Sequence, residues 1–232
     1  MEKLNSLSVF FPAYNEEENI KRVVENALQV LPSVAKVYEV IVVNDGSRDR
    51  TEDVVKELEK THPQVRLVNH EVNKGYGGAL KTGFQSSLYE HIVFTDGDGQ
   101  FDFAAIRDFI PQLEKADLVI GYRLKRNDPF TRLVNAKLYA LFLRVLFGLK
   151  VKDIDCAFKL FKKEAFKTIP PLASDGALIS AELLIRAKKA NLTLCEVPVK
   201  HYPRVAGNPT GANIGVIFRM FREVAKLYRT LK

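Results

Sequence analysis

Two aspartates set the first chemical constraint. Asp96 and Asp98 stand two residues apart in Asp96-Gly97-Asp98-Gly99-Gln100, with a glycine after each. Carboxylates this close repel, and a divalent cation with oxygen ligands relieves the repulsion. The spacing lacks the closing Glu of a twelve-residue calcium loop. Mg2+ or Mn2+, held by one or two carboxylates and completed by substrate phosphates, fits better. The plainer reading is an exposed acidic turn. Asp45, in Asn44-Asp45-Gly46-Ser47, offers the same choice: a simple turn, or a carboxylate that accepts hydrogen bonds from a base or ribose. Pro12-Ala13-Tyr14-Asn15-Glu16 reads as a strand-to-helix turn with Asn15 as N-cap, although that role does not require Tyr14. The run Asn73-Lys74-Gly75-Tyr76-Gly77-Gly78-Ala79 lacks the Gly-Lys-Ser/Thr of a P-loop. Its glycines permit close packing or close ligand approach.

The elements that must position these residues follow from periodicity. Strands are expected at 7–11, 37–43, 65–69, 91–95 and 118–121, and helices at 16–31, 51–60 and 103–113. The stretch 73–88 is a Gly-rich turn opening a helix. Short apolar strands alternating with amphipathic helices predict an α/β fold with a mostly parallel sheet flanked by helices. In such sheets ligands bind beyond the carboxyl ends of the strands, which is where the motifs fall. In the second half, helices are expected at 130–147 and 180–190, a strand at 193–199, and a strand or turn at 153–161. A Gly/Pro-rich loop follows at 201–213, and an amphipathic helix at 213–232 closes the chain.

The 232 residues suit one domain with a sizeable core, and disordered, collagenous and disulfide-framework classes are excluded. Charge is divided unevenly. Residues 1–100 carry 11 Lys/Arg against 16 Asp/Glu, a net of −5; residues 101–232 carry 24 against 12, a net of +12. The basic half calls for an anionic partner. The longest stretch without charge, 205–218, is fourteen residues, short of the roughly twenty that span a bilayer. Residues 1–11 are too polar and short for a signal peptide. Two cysteines without a CxxC pair suit a reducing compartment, and Cys156 reads as a packing residue. His62, His70 and His91 have no metal spacing and are expected at the surface; His201 reads as a loop histidine, or as an imidazolium for an acceptor phosphate.

Taken in order, Pro-Ala-Tyr-Asn-Glu, Asn-Asp-Gly-Ser, Asn-Lys-Gly-x-Gly and Asp-Gly-Asp-Gly-Gln resemble the family 2 glycosyltransferases with the GT-A (Rossmann-like) fold. The likeness runs from about Leu7 to Gly207. It is similar above all to the polyprenyl-phosphate glycosyltransferases of the dolichyl-phosphate mannose synthase type. Gly121-Tyr122-Arg123 matches that subgroup's Gly-Ser-Arg, and Asp153 to Lys159 resembles its Asp-x-x-x-Gly-Phe-Arg, with Ala157 for Gly. Glu196-Val197-Pro198-Val199, then Arg204 and Gly207, resembles its Glu-Val-Pro-Ile and Arg-x-x-Gly. The subgroup's next Ser-Lys is replaced here by Asn208-Pro209-Thr210, which removes a lysine contact. The resemblance implies a GT-A domain over 1–212, with a nucleotide-sugar and metal half at 1–120 and an acceptor half at 121–212, followed by the basic helix 213–232. It implies that Pro12, Tyr14, Glu16 and Asp45 hold the donor nucleoside, and that Asp96, Asp98 and Gln100 hold Mg2+ or Mn2+ on the diphosphate. Arg123, Arg132 and Arg204 would face phosphates.

The implied reaction moves a sugar, with inversion, from GDP-mannose or a UDP-sugar to a polyprenyl or dolichyl phosphate. Positive charge at Asp98's cation and the arginines would stabilise the departing diphosphate. An ionised phosphate acceptor needs no base; a hydroxyl acceptor, the alternative, needs one, and Asp153 and Asp155 are the candidates. A nucleic-acid-binding module is the third possibility, and no recognition motif supports it. Helix 213–232 carries Arg219, Arg222, Lys226, Arg229 and Lys232 against Glu223, a net of +4. With helix 130–147 it is expected to face an anionic membrane surface, with or without a separate anchoring partner, on the cytoplasmic face.

Overall fold

The computed structural model describes residues 2–124, 130–206 and 223–231, with 130–136 as backbone only. One seven-stranded sheet runs through it: β1 (Leu4–Ala13), β2 (Ala35–Asn44), β3 (Val65–Asn69), β4 (His91–Phe94), β5 (Leu118–Arg123), β6 (Lys159–Lys162) and β7 (Leu194–Val199). Their spatial order is β3-β2-β1-β4-β6-β5-β7. All pairings are parallel except the two made by β6, which is antiparallel to β4 and β5. The stretch 153–161 therefore resolves into a turn followed by β6. Because the strands are buried on both faces, they read as near-continuous apolar runs.

The helices are α1 (Ile20–Val34), α2 (Thr51–Thr61), α3 (Gly75–Ser86), α4 (Ile106–Phe109), α5 (Phe130–Phe147), α6 (Lys163–Lys167) and α7 (Ile179–Lys189). Residues 223–230 are also helical; 213–222, the rest of the expected basic helix, and Gly207 lie outside the described residues. One face of the sheet is covered by α1, α2 and the 103–114 segment, the other by α3, α5 and α7. On the second face Phe10, Phe84, Phe94, Phe161 and Phe166 form a ring cluster with centroids 4.2–6.3 Å apart. Gly83 lets α3 sit against it: a Cβ there would strike the Phe10 ring.

Three expectations change. The helix expected at 16–31 starts at Ile20, because Asn15 adopts φ 55° and is not an N-cap. Its backbone N–H donates to Ser47 Oγ (2.9 Å) and its Oδ1 accepts from Arg48 N–H (2.8 Å), so it ties the β1 and β2 ends together. The helix expected at 103–113 divides into two 3-10 turns flanking α4, and Pro111, with no N–H, sits in the second turn. His70 is buried rather than at the surface.

Candidate active site at the carboxyl ends of the central strands

The first loop of the site follows β2. Asp45 N–H donates to Ala13 O (2.8 Å) and Gly97 N–H to Pro12 O (3.3 Å), so the exits of β1, β2 and β4 are held side by side. The order reverses between β1 and β4, the switch point where ligands bind in open α/β sheets. Asp45 is buried, and its Oδ1 accepts from His70 Nδ1 (2.6 Å) and from Lys74 N–H (2.8 Å). His70 Nε2 lies 2.9 Å from Thr82 Oγ1. A histidine thus orients the expected nucleoside carboxylate. Pro12 is buried under this loop, and Tyr14 is partly exposed beside it.

The paired aspartates follow β4. Tyr76 donates its hydroxyl to Asp96 Oδ1 at 3.0 Å. Burial first, and the Asp98 charge second, push the Asp96 carboxyl up to about 7. Asp98 Oδ1 accepts from Gln100 N–H (3.0 Å) and Oδ2 from Arg204 Nη2 (3.1 Å). The same Arg204 nitrogen donates to Glu16 Oε1 (3.0 Å), while Asn19 Nδ2 donates to Glu16 Oε2 (2.8 Å). Burial raises the Glu16 carboxyl above its usual range. The expected phosphate ligand Arg204 therefore bridges two carboxylates. Its loop is pinned by Gln100, whose Nε2 donates to Tyr202 O (3.0 Å), and by Tyr202 N–H on Gln100 O (2.9 Å). This use of Gln100 leaves only its amide oxygen to meet a cation. Among the described residues no three Asp, Glu, His or Cys side chains converge as a metal cage. Two neighbouring carboxylates that substrate oxygens would complete are nonetheless a donor set for Mg2+ or Mn2+.

The basic side comes from β5 and the turn before β6. Arg123 grips Asp153 with Nε on Oδ2 (2.6 Å) and Nη2 on Oδ1 (2.8 Å), and both side chains are buried. Burial opposes the Arg123 charge, but Asp153 outweighs it, and the guanidinium is held firmly protonated. Asp153, expected as a possible base, instead has both oxygens engaged and acts as the orienter of Arg123. Asp155 is exposed on the same turn, and its charge reaches Tyr76, Arg123, Tyr139 and Lys159. Lys159 is fully buried; its ammonium donates to Ile154 O and Cys156 O and lies 5.5 Å over the Phe94 ring. Burial lowers its pKa, while the aspartates around it work to keep it charged. Cys156 packs against Gly121, and burial pushes its thiol up to about 11, as a packing residue requires. The Arg132 side chain lies outside the described residues.

Sequence reasoning missed Tyr76, His70 and Lys159. His70 follows the β3 run as Asp45 follows β2, so the same positional rule points to it. Lys159 is a single charge inside the apolar stretch 156–161. Tyr76 carries no local signal.

The sequence model of the family described as Glycosyl transferase family 2 matches residues 8–170. A dolichyl-phosphate beta-glucosyltransferase of Dictyostelium discoideum is 32% identical over 213 residues, 83% of this chain and 65% of that protein. The chain thus spans somewhat less than two thirds of that relative's length. A UDP-N-acetylglucosamine--dolichyl-phosphate N-acetylglucosaminyltransferase of Methanococcus voltae is 31% identical over 242 residues, 94% of each chain. Glucosyl-3-phosphoglycerate synthase of Mycobacterium tuberculosis, solved with Mn2+, UDP-glucose and phosphoglyceric acid, superposes with TM-score 0.73 at 21% identity, covering 97% of this chain and 79% of that one. At that identity the likeness is one of fold.

Proposed function

The chain belongs to glycosyl transferase family 2, and we propose that it moves a hexosyl group from a nucleoside-diphosphate sugar to a polyprenyl phosphate. The observation that carries the reading is the juxtaposition, at one switch point, of the Asp96–Asp98 pair with two arginines, Arg123 and Arg204, each held by carboxylates. The relatives named for dolichyl phosphate support the acceptor class.

Asp45, oriented by His70, offers its remaining oxygen to the nucleoside, with Pro12, Tyr14 and Glu16 around it. Asp96 and Asp98 hold Mg2+ or Mn2+, which supplies positive charge on the leaving diphosphate. Arg123 is preorganised by Asp153, so its charge costs little reorganisation when the diphosphate departs. Arg204 bridges Glu16 and Asp98 and is placed to turn toward phosphate oxygens. An acceptor phosphate arrives ionised, so no side chain has to remove a proton. The engagement of Asp153 by Arg123 favours this over a hydroxyl acceptor, which would need a base. Direct displacement inverts the anomeric carbon.

On α5, Leu138, Leu141 and Val145 share one face and are 59%, 56% and 76% exposed. Among the described residues no helix is long and apolar enough to cross a membrane. We place this face on the cytoplasmic surface of an anionic bilayer, where a lipid acceptor is met. A thermal-shift panel of UDP-glucose, UDP-N-acetylglucosamine and GDP-mannose with Mn2+ tests the donor half. Binding to the folded state stabilises by mass action, so one donor raises the Tm by several degrees. A flat panel contradicts the reading.

A further inference from the structure

The Lys159 side chain is fully buried, and the steps of the transfer make no use of it. A buried charge is costly unless hydrogen bonds and opposite charge offset the lost water. Here both are present. Its Nζ donates to the carbonyl oxygens of Ile154 (3.4 Å) and Cys156, and lies over the Phe94 ring. The charges of Asp96, Asp153 and Asp155 favour the ammonium against burial. Sheet register fixes the place. Lys159 opens β6 and pairs with Phe94 on β4 and with Ile120 on β5. Asp96 stands two residues beyond Phe94, and Arg123 three beyond Ile120. Lys159 thus lies between the strand that leads to the cation pair and the strand that ends in Arg123.

The two carbonyls belong to the turn that carries Asp153. Ile154 follows Asp153 directly, and the far end of the turn is tied to β5 by the Gly121 N–H on Phe158 O (2.8 Å). Asp153 accepts from Arg123 three times, from its backbone N–H (3.3 Å), its Nε (2.6 Å) and its Nη2 (2.8 Å). Such a forked pair fixes the guanidinium only as well as the carboxylate is itself fixed. Resting on the transfer reading above, we infer that Lys159 is a positioning residue for Arg123: by binding the Ile154 and Cys156 carbonyls it sets the turn that presents Asp153 to the guanidinium. Lys159 acts from beneath the site and touches no substrate.

The test is a double-mutant cycle between Lys159→Met and Arg123→Gln. It reads transfer of radiolabelled sugar from UDP-glucose, UDP-N-acetylglucosamine or GDP-mannose to dolichyl phosphate in Mn2+. Lys159→Met should lower kcat by about a hundredfold, the order that a misplaced group costs. The donor KM should stay within about twofold of wild type, because the loss falls on the transition state. Added to Arg123→Gln, the same change should lower kcat by less than about threefold further, since the group it positions is gone. Where a thermal melt shows that the methionine variant does not fold, Lys159→Gln, neutral but with two N–H donors for the two carbonyls, carries the same cycle. A chain that folds with neither substitution overturns the inference, because Lys159 is then a core residue only. Equal losses in both backgrounds, a loss confined to the donor KM, or an unchanged kcat also overturn the inference alone. A wild type that transfers sugar from none of the three donors overturns the transfer reading and the inference with it.

Discussion

The proton on Asp96 sets when the site can take a cation. Its carboxyl is pushed from 3.8 to about 7 by burial and by Asp98. Metal ligation requires the deprotonated form. Apparent Mn2+ affinity should therefore rise roughly tenfold per pH unit below about 7 and level off above it, measured by Mn2+ EPR. The Tyr76 hydroxyl bond lowers this pKa, so Tyr76→Phe should move the midpoint to higher pH. Stability runs the opposite way: the folded state keeps a proton that the unfolded state releases, so Asp96's contribution to the stability of metal-free protein falls as pH rises from 3.8 to about 7. Arg204→Gln removes a cation that competes for Asp98, and should tighten Mn2+ binding while weakening that of the bare diphosphate; calorimetry of both reads the split. At this scale Asp45, Asp96 and Asp98 were legible because they follow apolar runs. Their partners were not. His70 is 25 residues from Asp45 and Asp153 is 30 from Arg123, and only the sheet brings them together.

Gly83 and Glu182 carry the load between elements. Gly83→Ala would overpack α3 against Phe10; such strain costs roughly 1–3 kcal/mol, and Tm should fall by several degrees in calorimetry. Glu182 is fully buried on α7 and accepts from Ala173 N–H (2.9 Å), Ser174 N–H (2.7 Å) and Arg186 Nε (2.7 Å). These bonds hold its carboxyl charged against the cost of burial. They fix the loop that presses on Gly77 and pairs Asp175 with Lys81 at 2.5 Å. Glu182→Gln leaves Arg186 without its charge partner, and breaking a buried pair costs roughly 3–5 kcal/mol. The strands and the main helices were readable from period and apolar runs. The divided 103–114 segment, the late start of α1 and antiparallel β6 were not, because each is decided by a contact distant in sequence or by one residue's backbone.

At the scale of the molecule, the charge division now has places to belong. The net −5 of residues 1–100 includes Glu16, Asp45, Asp96 and Asp98 around one switch point; the net +12 of the remainder includes Arg123 and Arg204 facing them. The exposed row Leu138, Leu141 and Val145 predicts binding to anionic liposomes at low salt, falling as salt screens the basic half, read by co-sedimentation; Val145→Asp should weaken it. The central reaction proposed for the protein is transfer to a lipid phosphate through the paired aspartates. The direct measurement supplies radiolabelled nucleotide sugar, Mn2+ and dolichyl phosphate, and counts label in the organic phase. Wild type should transfer label, dolichol lacking the phosphate should receive none, and Asp98→Asn should lower transfer at least a hundredfold, about 2.7 kcal/mol. Label carried to dolichol, or full activity in Asp98→Asn, would contradict it.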